Sequence, residues 1–305
     1  MSDLKVFNIV SGRVSELEGT TVNLERELQT LFERNLEDFV GIKFLATEYS
    51  TSHGGRMDTL GLDENGFPVI IEYKRRSDEN VINQGLFYLD WLMDHKAAFE
   101  LLVRDTLGQE AAANIDWSAP RLLCVAGNFT KFDEHAVKQM GRNIELIRYK
   151  KFGDSVIALE LLTAASAQPQ SGQKANASGV SNPASQTYKT NLEHLEGSSD
   201  NLKELYQHVS DFLESLGDDV QRRELQFYTA FKRIKNFACV EVRPQRNVVR
   251  AYVKVDPDKV DLAQSFLRDV RNIGHFGTGD LEITISDAET LEGAKPYLQT
   301  SYENS

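Results

Sequence analysis

Cysteine is scarce in this chain: Cys124 and Cys239 are the only two among 305 residues. They are too few and too far apart for a disulfide framework or a Cys-x-x-Cys metal site. The six histidines show no His-x-x-x-His spacing, which leaves no zinc motif of that kind. No stretch approaches the roughly 18 to 20 apolar residues of a membrane span, and Glu, Lys or Arg interrupts each candidate. The first residues, MSDLKVFNIVSGRVSELEG, lack the basic start and apolar run of a signal peptide. A reducing cytoplasm and no membrane are the expectation. Cations are also in the minority, 34 Lys and Arg against 46 Asp and Glu, for a net charge of -12. A surface built throughout to attract polyanions is thereby excluded, and any nucleic-acid site must be local. Walker and kinase signatures are missing too: no phosphate-loop lysine, no HRD, no DFG.

With 41% hydrophobic and 26% charged residues, the chain has what a soluble globular protein needs, and its length suits about two domains. The boundary is compositional. Residues 164–190, rich in Ala, Ser, Gln, Asn, Gly and Pro, read as a flexible linker between a domain over 1–163 and a smaller one over 191–305. Two stretches run basic, 131–151 and 222–254, either as local phosphate contacts or as ordinary solvated faces.

In the first domain, Leu24, Leu28, Leu31, Phe32 and Leu36 recur at helical spacing, which predicts a helix over 22–39. Residues 42–49, 56–62 and 67–74 read as three strands, the last two joined by the turn sequence Asp63-Glu64-Asn65-Gly66. A long helix, continuous or broken, follows over about 78–107. Then come a strand at 121–126, an amphipathic helix at 131–140, and strands at 144–149 and 156–162. The order helix, three-stranded meander, helix, strand makes the domain α/β, a helical layer on a mixed sheet. The smaller domain reads as α+β: helix 202–216, strands 237–243 and 248–255, helix 262–270, strand 281–286 and helix 288–302.

Chemistry concentrates in the meander. Side chains alternate along a strand, so Glu72 and Lys74 share one face while Ile71 and Tyr73 take the other. Glu72 also ends the run Val69-Ile70-Ile71, where a charge is costly without a partner or a metal. The turn decides the rest. A two-residue Asn65-Gly66 turn pairs Asp58 with Tyr73 and separates the acids, whereas a three-residue Glu64-Asn65-Gly66 loop with Gly66 left-handed sets Asp58 opposite Glu72. In the second case two carboxylates hold Mg²⁺ or Mn²⁺, with Lys74 beside them to orient water and offset developing charge. Arg56 would lie on the same face within reach of a phosphate, and Arg75 and Arg76 follow Lys74 as further nucleic-acid contacts. On the long helix Gln84 and Tyr88, four apart, with Trp91 and His95 continuing the stripe, would roof the cleft. Glu25 of the first helix is the candidate third acidic ligand, Glu27 and Glu33 its competitors. Against this stands a cross-strand ion-pair group that stabilises the sheet and catalyses nothing.

The segment GRMDTLGLDENGFPVIIEYKR, followed by VINQGLFYLDWL, resembles the PD-(D/E)xK nuclease superfamily, in particular its NucS-like endonuclease branch, over roughly residues 20 to 110. The resemblance implies a restriction-endonuclease-like core, Asp58 and Glu72 as metal ligands, Lys74 as the catalytic lysine, and hydrolysis of phosphodiester bonds in DNA. Gln84 and Tyr88 match the QxxxY signature of RecB-type nucleases. Met57 stands where the family usually has proline. The segments FYTAFKRIKNFACVEVRPQ and RDVRNIGHFGTGDLEITI are similar to an uncharacterised domain of the kind labelled predicted transport protein, a label with no physical support in these residues.

The expectation is therefore a Mg²⁺-dependent deoxyribonuclease, an endonuclease before an exonuclease, acting in repair or defence on nucleic acid, DNA before RNA, with a homodimer as the form able to cut both strands. The alternative is a nucleic-acid-binding or interaction protein on an inactive nuclease fold. A third reading places the function in the smaller domain, as a ligand sensor tethered to the first.

Overall fold

The computed structural model describes all residues except 1–3, 23, 53, 76–79, 166–189 and 276. The chain divides into two compact units, Met1–Gln173 and Lys174–Ser305. The linker expected at 164–190 lies outside the described residues save for 164, 165 and 190.

The first unit opens with a two-stranded hairpin, β1 (Val6–Val10) and β2 (Arg13–Leu17), and the short β3 (Gly19–Thr20). Next come α1 (Glu25–Arg34) and α2 (Leu36–Val40), then β4 (Ile42–Ser50), β5 (Arg56–Asp63) and β6 (Pro68–Lys74). The helices α3 (Asn80–Asp94), α4 (Lys96–Leu107) and α5 (Gln109–Ala113) lead to β7 (Arg121–Ala126), α6 (Lys131–Gln139), β8 (Asn143–Phe152) and β9 (Val156–Ala165). The single helix expected over 22–39 is interrupted at Asn35, whose backbone leaves helical geometry at φ -132° while its side chain bonds back to the Leu31 carbonyl at 2.8 Å. His95 divides the second long helix in the same way, its ring Nδ1 lying 2.8 Å from the Trp91 carbonyl oxygen.

The main sheet has the order β3-β8-β7-β6-β5-β4, with β9 also pairing with β8. An antiparallel meander, β4 to β6, is thus extended by two strands, β7 and β8, running parallel to β6. Parallel strands need crossovers, and α3 with α4, then α6, supply them. The residues of β7, and those of β6 before Lys74, are buried, as helical cover on both faces requires. This is the expected α/β core, helices packed on a mixed sheet.

The turn between β5 and β6 sets the register on which everything else rests. Asp63 N–H donates to the Phe67 carbonyl at 3.0 Å, and Gly66 N–H donates to the Asp63 carbonyl at 3.0 Å, with Gly66 at φ 82°. These contacts define the three-residue loop Glu64-Asn65-Gly66. A side chain at 66 would meet both a left-handed backbone and the Asn114 carbonyl oxygen, 2.6 Å from an added Cβ. The Asp63 carboxylate fixes the loop from inside, accepting from Asn65 and Phe67 N–H at 2.9 Å each. Its other oxygen pairs with Arg121 at the start of β7, and Arg121 in turn grips Glu145 of β8 through two bonds, 3.1 and 2.7 Å. All three charges are buried.

The second unit holds α7 (Asn191–Glu196), α8 (Asp200–Ser215), β10 (Gln221–Glu224), β11 (Thr229–Lys232), β12 (Asn236–Arg243), β13 (Val248–Val253), β14 (Leu267–Asp269), β15 (Leu281–Ile285) and α9 (Ala288–Glu303). Its antiparallel sheet, ordered β10-β11-β12-β13-β15-β14, buries Val240, Val249, Ala251 and Ile283 with α8 and α9 in an α+β arrangement. The helix expected over 262–270 is instead a turn followed by the edge strand β14. Leu267 and Val270 imitate a helical stripe with Leu262, yet they are buried by sheet pairing and loop packing while Leu262 stays exposed.

Arg121→Ala would strand two buried carboxylates, so a loss of about 3–5 kcal/mol in unfolding free energy is expected by urea denaturation. A loss below about 1 kcal/mol, the scale of a surface ion pair, would show that the triad does not hold the turn.

Candidate active centre on strands β5 and β6

The last ladder pair between β5 and β6 is Thr59 with Ile71, so one step further along Asp58 stands opposite Glu72. There the two side chains take over from the backbone. Asp58 Oδ2 accepts the Tyr73 N–H at 2.9 Å, and Glu72 Oε1 accepts the Asp58 N–H at 3.3 Å. Each carboxylate thus holds the strand that carries the other. Arg56, two residues before Asp58, ion-pairs with Glu48 of β4 at 3.3 Å.

Glu72 is 0% exposed, and its second oxygen, Oε2, has no hydrogen-bond partner. Burial, reinforced by the charge of Asp58, pushes its carboxyl from the ordinary 4.5 up to about 8. Burial also raises Asp58, against the Tyr73 N–H and Lys74, which favour its ionised form. Lys74 lowers both acids but not enough to offset burial, so the pair is under-neutralised. Leaving such a group unpaired is costly. A small divalent cation would fit this donor set: two hard carboxylates, one carrying an orphaned buried oxygen, beside a lysine. Among the described residues no group of three or more acidic, His or Cys side chains is close enough to ligate one ion, so Asp58 and Glu72 are the carboxylates that could hold one directly.

The other residues singled out in the sequence divide into those near the pair and those elsewhere. Glu25 does not join the carboxylates. It sits 3.5 Å from Lys74 Nζ and accepts the Arg75 N–H at 3.3 Å, because the ammonium and an open backbone donor at the end of β6 attract it more than two acids do. Glu33 is engaged elsewhere, accepting from Thr59 Oγ1 at 2.6 Å and Gln29 at 3.1 Å; Thr59 alternates with Asp58 and faces the other side of the sheet. Glu27 is exposed. Arg75 is exposed, and Arg76 lies outside the described residues.

The stripe on α3 braces the β4–β5 loop. Tyr88 Oη accepts the Arg56 N–H at 3.1 Å and the Gln84 amide at 3.3 Å, while Trp91 Nε1 donates to Ser52 Oγ at 2.9 Å and stacks on His95 at 4.1 Å. Gly55, at φ 88°, passes so near that a Cβ would lie 2.7 Å from Tyr88 Oη. Tyr88, expected as a catalytic group of the roof, is buried and supports the Arg56 backbone, its hydroxyl oxygen accepting both bonds. Gln84, half-buried, is its hydrogen-bond partner.

Two residues escaped the sequence reading. Gln29 of α1 donates to the Asp58 carbonyl at 2.8 Å and Thr47 Oγ1 at 3.1 Å, tying helix to meander. Glu48 lies opposite Asp58, since Thr47 pairs with Thr59 and Tyr49 with Met57. Carrying the loop-register argument from the β5–β6 turn to the β4–β5 turn would have exposed it, but the longer loop 51–55 has no single favoured geometry. In the basic stretch of the second unit four arginines are ion-paired: Arg222 with Glu214 and Glu224, Arg233 with Asp219, Arg243 with Glu241 and Arg250 with Glu282. Among the described residues no helix is long and apolar enough to cross a membrane.

Residues 192–305 match the family described as "Domain of unknown function (DUF5655)". An uncharacterised protein of Haemophilus influenzae is 29% identical over 95% of this chain and 96% of its own length. Among solved structures, a repair endonuclease from Pyrococcus abyssi is similar at 22% identity over 42% of this chain and 48% of its own, with a TM-score of 0.28. The structure of an EndoMS complex with double-stranded DNA is similar at 23% identity over 44% of this chain and 50% of that one, TM-score 0.26. The aligned part thus spans about half of each of those chains.

The Glu72 shift has a measurable consequence. An acid whose folded pKa is raised contributes stability that is complete below about 4.5 and is lost as pH rises through about 8. Metal-free protein should thus lose a few kcal/mol of unfolding free energy over that window, and Glu72→Gln should flatten the profile. A wild-type profile that is flat or rising from pH 5 to 8, read by urea titration in chelator, would contradict the burial of an uncompensated carboxylate.

Proposed function

We propose that the chain is a metal-dependent nuclease that hydrolyses phosphodiester bonds in DNA, with its centre at Asp58, Glu72 and Lys74. The observation that carries this reading is Glu72: a wholly buried carboxyl with an orphaned oxygen, aligned with a second carboxyl across the sheet and with a lysine two residues on. A purely structural ion-pair group would use that oxygen.

Asp58 and Glu72 would hold Mg²⁺ or Mn²⁺, which when bound supplies Lewis-acid polarisation of the phosphate and a more acidic water. Lys74, 17% exposed and tethered by Glu25 at 3.5 Å, is placed to orient that water and to offset the negative charge that builds on the phosphate oxygens. Tyr88 keeps the Arg56 backbone fixed, and Arg56, exposed and ion-paired with Glu48, would exchange that partner for a flanking phosphate, with Arg75 the next cation along the chain. DNA as the substrate and endonuclease action both follow the resemblance of the motif-bearing segment. A double-strand cut would call on two copies, each supplying one centre.

The test uses covalently closed plasmid with Mg²⁺ or Mn²⁺. Wild type should nick it, Asp58→Ala and Glu72→Ala should fall to the chelator control, and Lys74→Met should be slower by on the order of 10²–10³-fold. Tight plasmid binding without any nicking would instead favour a binding protein on an inactive nuclease fold.

A further inference from the structure

The centre contains one more acid than the motif supplies. The register places Glu48 of β4, Asp58 of β5 and Glu72 of β6 in one row across three adjacent strands. Directly opposed residues in such a row have Cβ atoms about 5 Å apart. Glu48 lies on the same side as the other two: it pairs with Arg56, which shares a face with Asp58, and its charge adds to burial in disfavouring ionisation of both Asp58 and Glu72. Its backbone is left-handed at φ 49°, rare for a residue with a long side chain. The orphaned Glu72 Oε2 is the independent sign that this row serves a ligand.

We propose that Glu48 is the third carboxylate of the centre, holding a divalent cation through the ion's water shell, in the place that the sequence assigns to Glu25. This rests on the metal-dependent reading above. Direct ligation by three acids is not available, because no such group comes together among the described residues. An outer contact needs less proximity, and outer contacts still contribute strongly to metal affinity. Arg56 then has two states. Paired with Glu48 at 3.3 Å it competes with the cation for that carboxylate; released to a phosphate, it leaves Glu48 to the ion. Glu25 is committed to Lys74 and the Arg75 backbone.

The experiment is calorimetric titration of the full chain with Mn²⁺ alone, for wild type, Glu48→Gln, Glu25→Gln, Arg56→Gln and the double variant Glu48→Gln/Arg56→Gln, each checked for an unchanged thermal melt. Glu48→Gln should weaken Mn²⁺ binding about tenfold. Glu25→Gln should leave it unchanged, and Arg56→Gln should tighten it. That tightening should vanish in the double variant, a coupling that simple loss of fold or of net charge would not produce. Wild-type affinity in Glu48→Gln, a loss confined to Glu25→Gln, or no Mn²⁺ uptake by wild type would each overturn the assignment. The two readings fail separately: Glu48-dependent Mn²⁺ binding with no plasmid nicking removes the nuclease and keeps Glu48, whereas nicking with Glu48-independent binding does the reverse.

Discussion

The register between β5 and β6 governs the functional end of this protein. One residue of slip would turn Glu72 away from Asp58, since side chains alternate with a period of two. The register is set about 17 Å away, at the other end of the strands, by a turn of three residues. Gly66 supplies the left-handed corner, Asp63 holds the loop through two amides, and the buried Arg121 bridges Asp63 to Glu145. A buried ion triad is seldom the most stable filling for a core, because removing charges from water offsets most of the attraction between them. Here it specifies: it joins the meander to β7 and β8, and so fixes where the ladder ends and the carboxylates begin.

At that end, order is kept by the groups that would otherwise be liabilities. Two acids in a buried sheet repel each other, yet each accepts an N–H from the opposite strand, which favours their ionised forms and locks their rotamers. Tyr88, Trp91 and Gln29 brace the strands from both sides. What remains uncompensated is concentrated on one oxygen of Glu72. Burial therefore favours the protonated carboxyl at neutral pH, and a cation bound there would have to displace that proton.

Much of this was legible in the sequence because the relevant signals are local. The apolar run into Glu72 marks β6, and Asp63-Glu64-Asn65-Gly66 admits only a few loops, one of which aligns Asp58 with Glu72. Other placements are set by tertiary competition, which local patterns do not carry. Glu25 occupies the helix face from which an acid can reach the site, but Lys74 and the free end of β6 claim it first. Tyr88 carries a motif, yet the close approach of Gly55 turns its hydroxyl into a brace. The segment 262–270 has helical spacing but lies on a sheet edge, where Leu267 pairs with Ile283. The hairpin of β1 and β2, with Ile9 and Val14 exposed, has no clean alternation between polar and apolar positions and gave no strand signal. Glu48 could be found only by knowing both registers of the meander.

Where a divalent ion settles is the most direct test of the proposed centre. A crystal soaked in Mn²⁺, with anomalous scattering recorded at the manganese edge, should show one strong peak bounded by an Asp58 carboxyl oxygen and Glu72 Oε2, with Lys74 alongside. A peak at Glu25, or an empty centre in which Asp58 and Glu72 turn apart at saturating Mn²⁺, would contradict it.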